Sequence, residues 1–114
     1  MKKQIFHESL YYQLVITTPP NVEQAEVERQ LASGRWEFDI DLAFEVSGKL
    51  DKIEHPTVVS DGPQERTFKC VVLLALELRS SEPIAHYSRS DTLDFFSASV
   101  DLPGGWEIVE TSRG

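Results

Sequence analysis

The chain has 114 residues, 40% hydrophobic and 26% charged, a soluble-globular composition that requires neither disorder nor a membrane span. Its length allows one domain, residues 1–114, with little room for a second. Eleven basic against 19 acidic side chains give a formal charge of −8, which argues against the phosphate backbone of a nucleic acid as a direct ligand. The longest uncharged apolar run, Cys70 to Leu76, falls far short of the ~20 residues of a membrane-spanning helix. Lys2 and Lys3 lead into Gln4, His7 and Glu8, too polar for the apolar region of a signal segment. The lone Cys70 excludes an internal disulfide framework and a cysteine-rich zinc site. It suits a reducing compartment, so a cytoplasmic location is expected.

In chain order, Leu10, Tyr12, Leu14 and Ile16 alternate with Tyr11, Gln13, Val15 and Thr17, which predicts a strand over residues 10–17. Thr18-Pro19-Pro20 ends it, because proline donates nothing to a ladder. Asn21 is then the expected N-cap of a helix over Val22 to Ala32, with Gln24 as its capping-box partner. Gly34 is expected to close that helix in the left-handed conformation. The helix's apolar face is thin, chiefly Val27 and Leu31, and fits a position over a sheet edge.

The clearest pattern follows. Trp36, Phe38, Ile40, Leu42, Phe44 and Val46 alternate with Glu37, Asp39, Asp41, Ala43 and Glu45, which predicts one strand with a buried and an acidic face. Ser47-Gly48-Lys49 reads as a turn, and residues 50–59 as a weaker strand interrupted by Pro56. Ser60-Asp61-Gly62-Pro63 is the strongest loop signal.

Residues 66–79 form a second long strand, with Phe68, Cys70, Val72, Leu74, Leu76 and Leu78 on one face. Val71, Leu73 and Ala75 make the middle of the other face apolar too, so the strand should be central and covered twice, by the helix or by another subunit. Residues 82–91 are ambiguous: Pro83, Ile84, His86 and Ser88 suit an edge strand, while Ser81 could cap a helical turn. Residues 92–102 alternate again through Phe96, Ala98, Val100 and Leu102. Pro103-Gly104-Gly105 turns the chain into a short terminal strand with Trp106, Ile108 and Glu110. The expected fold is α+β, an antiparallel sheet of five or six strands with one helix inserted after the first strand.

Two segments carry the charge imbalance. Residues 36–46 hold Glu37, Asp39, Asp41 and Glu45, and residues 91–112 hold Asp91, Asp94, Asp101, Glu107 and Glu110, with no basic residue in either. Such segments raise encounter rates with basic surfaces, and they also keep a protein soluble. Asp39 with Asp41, or Asp91 with Asp94, could share a hard cation, but no Asp-rich loop with a glycine bend supplies the remaining oxygens. His7, His55 and His86 form no i,i+4 pair and no HExxH string. No GxSxG elbow is present, and Gly104-Gly105 lacks the helix and lysine of a phosphate loop. Cys70 sits mid-strand among apolar residues, the setting of an inert buried thiol. The sequence therefore predicts a non-enzymatic protein without a cofactor or metal.

The stretches LVITTPPN, RWEFDIDL and TFKCVVLLALELRSSEPIAHYSRSDTLDFF resemble SecB-like export chaperones over about residues 10–97. The shared features are an apolar strand ending at a Pro-Asn turn, a strand opening at Trp, two long strands and an acidic balance. The segment from Asn21 to Trp36 is longer and helical here, and the family's long C-terminal helices have no counterpart, so no functional residue is carried over. The resemblance implies binding of non-native or extended polypeptide, oligomerisation and no cofactor.

The expected function is that of an acidic interaction module binding another polypeptide, as a chaperone-like binder or an inhibitor occupying a basic, nucleic-acid-facing surface. Its expected contact residues are Glu37, Asp39, Asp41, Glu45, Asp91 and Asp94. An oligomeric structural subunit is the alternative, and a small enzyme or ligand-binding cup ranks behind both. A homo-oligomer without membrane contact is expected.

Overall fold

The computed structural model describes residues 4–40, 44–80 and 86–113. Asp41 and Leu42 of the acidic strand, and Ser81, Pro83 and Ile84 of the ambiguous segment, lie outside the described residues. The elements are β1 (Ile5–Thr18), α1 (Gln24–Ser33), β2 (Trp36–Asp39), β3 (Phe44–Ile53), β4 (Thr57–Asp61), β5 (Arg66–Ser80), α2 (Arg89–Leu93), β6 (Ser97–Val100) and β7 (Glu107–Arg113). The fold is α+β and mostly antiparallel. A five-stranded sheet runs β3-β5-β1-β7 with β4 also on β5, and β2 and β6 form a separate two-stranded sheet.

The β1–β5 ladder is the spine. It pairs antiparallel without a bulge from Ile5 opposite Arg79 to Thr18 opposite Arg66. Leu10, Tyr12, Leu14 and Ile16 of β1 share a buried face with Phe68, Cys70, Val72, Leu74, Leu76 and Leu78 of β5. The middle of β5 does not specify this register, since Val71, Leu73 and Ala75 would also bury well. Its flanks do: a one-residue slip would turn Lys69 and Glu77 inward without partners, a cost of several kcal/mol per charge. Fourteen paired residues at about 3.4 Å each span nearly 50 Å, which explains the elongated shape of 57 × 22 × 21 Å.

The buried face is covered by one layer. Val27 and Leu31 of α1, Leu93 of α2, Phe96, and Ala98 and Val100 of β6 join the sheet residues in one core, with Trp36 and Phe38 packed against it. α1 thus packs on the Phe68 face of β5, and the opposite face, with Val71 and Leu73 half-buried, has no covering layer among the described residues.

Several sequence expectations need correction. The strand expected over residues 36–46 is two strands in different sheets, β2 on β6 and β3 on β5. At the break, the Asp39 carboxylate accepts the Ile40 amide at 3.0 Å, a local bond that substitutes for the next rung of the ladder. The apolar period survives because both pieces turn the same side to the core. Ser47-Gly48-Lys49 is no turn but the middle of β3, where Gly48 pairs with Leu76. The chain breaks instead after Ile53, Pro56 is fully buried, and the turn falls at residues 62–65, where the Gly62 amide donates to the Glu65 carbonyl at 2.9 Å.

At α1 the expected caps are not the observed ones. Glu23 is the N-cap, without a side-chain hydrogen bond, while Asn21 takes a left-handed conformation (φ 68°) in the turn after the prolines. Gly34 is extended, not left-handed (φ −72°, ψ 159°). It is glycine because a Cβ there would lie 2.6 Å from Val100 Cγ2 and 2.9 Å from the Asp101 carbonyl. Finally, residues 89–93 form a second helix capped by Ser88, whose hydroxyl accepts the Asp91 amide, so the strand expected over 92–102 shortens to β6.

Gly48 separates the strand from the turn experimentally. A Cβ at Gly48 would lie 2.6 Å from the Ala75 carbonyl oxygen and 2.8 Å from Leu76 Cδ2. Gly48→Val is expected to cost about 1–3 kcal/mol by overpacking, whereas Ser47→Val, on the wet face, stays within about ±0.5 kcal/mol. Urea unfolding of both variants checks the ranking, which a turn at 47–49 would not produce.

Candidate protein-interaction surface

The two-stranded sheet brings the two acidic segments together. β2 and β6 pair antiparallel with Trp36 opposite Val100, Glu37 opposite Ser99, Phe38 opposite Ala98 and Asp39 opposite Ser97. Like charges directly opposite each other would weaken such a pair. Here each carboxylate faces a serine, so no acid faces an acid across the ladder. Glu37, Asp39, Ser97 and Ser99 are all exposed, and with Phe38 and Ala98 they line a surface hollow of about 470 Å³.

The inner side holds this small sheet in place. The Trp36 indole donates to the Leu31 carbonyl at 2.9 Å, tying β2 to the end of α1. The Asp101 amide donates to the Arg35 carbonyl at 2.9 Å, extending the β2–β6 contact by one rung. Phe38 stacks between Trp36 and Phe96, with ring centroids 6.2 and 6.1 Å away. The Ala98 amide donates to the Tyr12 hydroxyl across the core, giving that buried phenol a polar partner. A rigid apolar floor therefore carries a polar, acidic outer side.

Of the remaining expected contact residues, the three that are described lie elsewhere. Glu45 lies on β3 of the main sheet, opposite Arg79, whose guanidinium is 3.0 Å from Glu77. Asp91 is exposed in the first turn of α2. Asp94, at the end of α2, is 3.2 Å from the Arg113 guanidinium and so partly neutralised. Asp41 lies outside the described residues. Of the six, Glu37 and Asp39 share one surface.

Phe95 went unnoticed in the sequence. It is 66% exposed, two residues before Ser97, and its neighbour Phe96 hid it because only one of two adjacent aromatics can join the core.

A second missed cluster is structural. Glu8 lies on the buried side of β1, and its carboxylate is 2.6 Å from Arg89 Nε and accepts the Tyr87 hydroxyl at 3.0 Å. Arg89 also donates to the Ser9 carbonyl, and the Tyr87 ring stacks on Phe6 at 4.0 Å. The signal was an acid in register with Phe6 and Leu10. Burial, with help from the adjacent Glu8 carboxylate, pushes the Tyr87 phenol up to about 12. Burial likewise pushes the Cys70 thiol up to about 12, and the side chain is packed in the core with no exposure.

Among the described residues no three His, Cys, Asp or Glu side chains converge as a metal site, and no helix is long and apolar enough to cross a membrane. The hollow at the start of α1, about 550 Å³, is lined by Glu26 and Arg29, which already pair with each other at 2.6 Å. Compared with known protein families, curated proteins and solved structures, the chain matches none.

The Tyr87 cluster has a pH signature. The folded state holds the phenolic proton more tightly, so this contribution is intact below pH 10 and lost as pH rises through about 12. Cys70 adds a loss that begins near pH 9. Tyr87→Phe is expected to remove the phenol's share and flatten the fall above pH 10, as read by chemical denaturation across that range. An unchanged profile would place the phenol in water.

Proposed function

We propose that this protein is a non-catalytic interaction module that presents the outer side of β2–β6 to a polypeptide rich in basic side chains. The observation that carries this reading is the placement of Glu37 and Asp39, exposed, opposite serines, on strands whose inner side is locked to the core. Carboxylates on a preformed strand pair meet guanidinium and ammonium groups without the backbone first being ordered, which lowers the entropic cost of association. Phe95 offers an apolar anchor beside the polar strip, the kind of residue on which binding energy concentrates.

Between the two forms of this reading, the polar strip favours an inhibitor that occupies a basic, nucleic-acid-facing surface. A SecB-like binder of non-native chains would need a broad exposed apolar groove, and β2–β6 presents carboxylates and hydroxyls. The acidic strip instead offers a rigid polar counterpart to a surface that otherwise holds phosphates.

Capture from the cells of origin, followed by mass measurement of the intact complex, identifies the partner. Glu37→Lys combined with Asp39→Lys is expected to slow association with it by about tenfold at low salt and to flatten the salt dependence. Both side chains are exposed and make no ion pair among the described residues, but Asp39→Lys also removes the acceptor of the Ile40 amide, so Glu37→Lys with Asp39→Asn, which keeps an acceptor, is the control for the fold. An unchanged association rate at low salt would overturn the proposal.

A further inference from the structure

We infer that the uncovered face of the five-stranded sheet binds a second copy of this chain, face to face, about a twofold axis parallel to the strands between β1 and β5. The centre of that face is apolar. Tyr11, 44% exposed, pairs across the ladder with Leu73, and half-buried Val15, Val71 and Ala75 extend the strip along the two strands, interrupted on β1 by Gln13 opposite Val71 and by Ser9 opposite Ala75. No core residue among the described residues packs on it, although it adjoins the longest ladder in the fold.

For this axis, the register decides which residues meet. A twofold along the strands keeps each row at its own height and exchanges β1 with β5. The Tyr11–Leu73 row then stacks on the same row of the partner, each tyrosine over a leucine. One row set lower is charged: Val15 is flanked by Lys69 on β5 and by Glu110 on β7. After the rotation, Lys69 lies over the partner's Val15, one strand from the partner's Glu110, with sheets stacked about 10 Å apart. The pairing occurs twice by symmetry. Lys69 and Glu110 are both exposed and make no ion pair among the described residues.

Two lysines and the Glu77–Arg79 pair on this face do not oppose the arrangement. Lys49 and Lys52 lie on β3 at the rows of Ala75 and Leu73, above the rows that β7 reaches. They therefore face no charged strand of the partner. Glu77 and Arg79 pair with each other at the far end of the sheet.

Area and edges point the same way. From Tyr12 to Thr17 four strands, about 19 Å wide, run about 17 Å, and β1 and β5 alone continue about 10 Å further to Ser9, so two copies bury roughly 800 Å², the scale of a weak, reversible dimer. The sheet edges are less suited to joining copies. β3 and β4 carry bulges at Asp51 and Val59, and β7 carries one at Val109, irregularities that discourage strand addition.

Sedimentation velocity of the full chain tests the inference. The expected mass is twice 12.9 kDa at high micromolar concentration, falling towards 12.9 kDa on dilution. Leu73→Lys should give the single-chain mass throughout with an unchanged circular dichroism spectrum. Because that change could disturb β5, the charge swaps are the decisive arm. Lys69→Glu and Glu110→Lys should each weaken the dimer by about tenfold or more, and the double swap should restore it. A single-chain mass at every concentration, a larger closed assembly, or a double swap no better than the single ones would overturn the inference. So would a dimer indifferent to all three changes, which would assign the face to a different protein.

Discussion

Everything in this molecule hangs on the fourteen-rung ladder between β1 and β5. Period-two patterning puts ten apolar side chains of the two strands on one face, and each contributes about 1.5–3 kcal/mol when buried. That face is too long for α1 alone, a ten-residue helix with two buried side chains. The chain covers the rest with a second short helix and a two-stranded sheet, so the small sheet exists because the ladder outruns the helix. The polar strip on its outer side is a consequence of that layering.

The ladder was legible in the sequence because both strands alternate over long stretches and their ends are marked, by Pro19 on β1 and by charged residues on β5. The same signal misled over residues 36–46. Periodicity reports which side of a strand is buried, but not which strand it pairs with. Two short strands facing the same core from different sheets therefore read as one. The Asp39 carboxylate that takes the Ile40 amide marks the division, and an aspartate in an alternating pattern carries no trace of that bond.

Glycine and cap positions show the other gap. Gly34 and Gly48 were read by their usual local roles, a helix stop and a turn. Both are instead sites of close approach, to Val100 and Asp101 in one case and to Ala75 and Leu76 in the other. Those neighbours are 27 to 67 residues away in the chain, so no local rule could name them. The Glu8–Arg89–Tyr87 cluster is of the same kind, since its members are about 80 residues apart. By contrast, the exposure of Glu37, Asp39 and Glu45 followed directly from alternation. What alternation could not supply was that Glu45 belongs to a different sheet and faces an arginine.

The two proposed surfaces lie on opposite sides of the main sheet, and that separation has a consequence for binding. The acidic strip is on the outer side of the covering layer, and the apolar strip is on the bare face of the sheet. Joining two copies through the bare faces leaves both acidic strips pointing outward, one at each side of the pair. A partner with two basic sites at matching spacing would then be held at both, and the second contact forms at the high effective concentration set by a rigid scaffold instead of a linker. The elongated chain limits which partners qualify, because the strips are fixed by two stacked sheets and cannot adjust their separation. Because the strips face opposite ways, a partner that reaches around the pair meets that condition, and a flat basic surface or a single isolated basic peptide does not. The acid-over-serine arrangement keeps the strip's charge from weakening its own ladder, so the chain can present that charge without losing the small sheet that carries it.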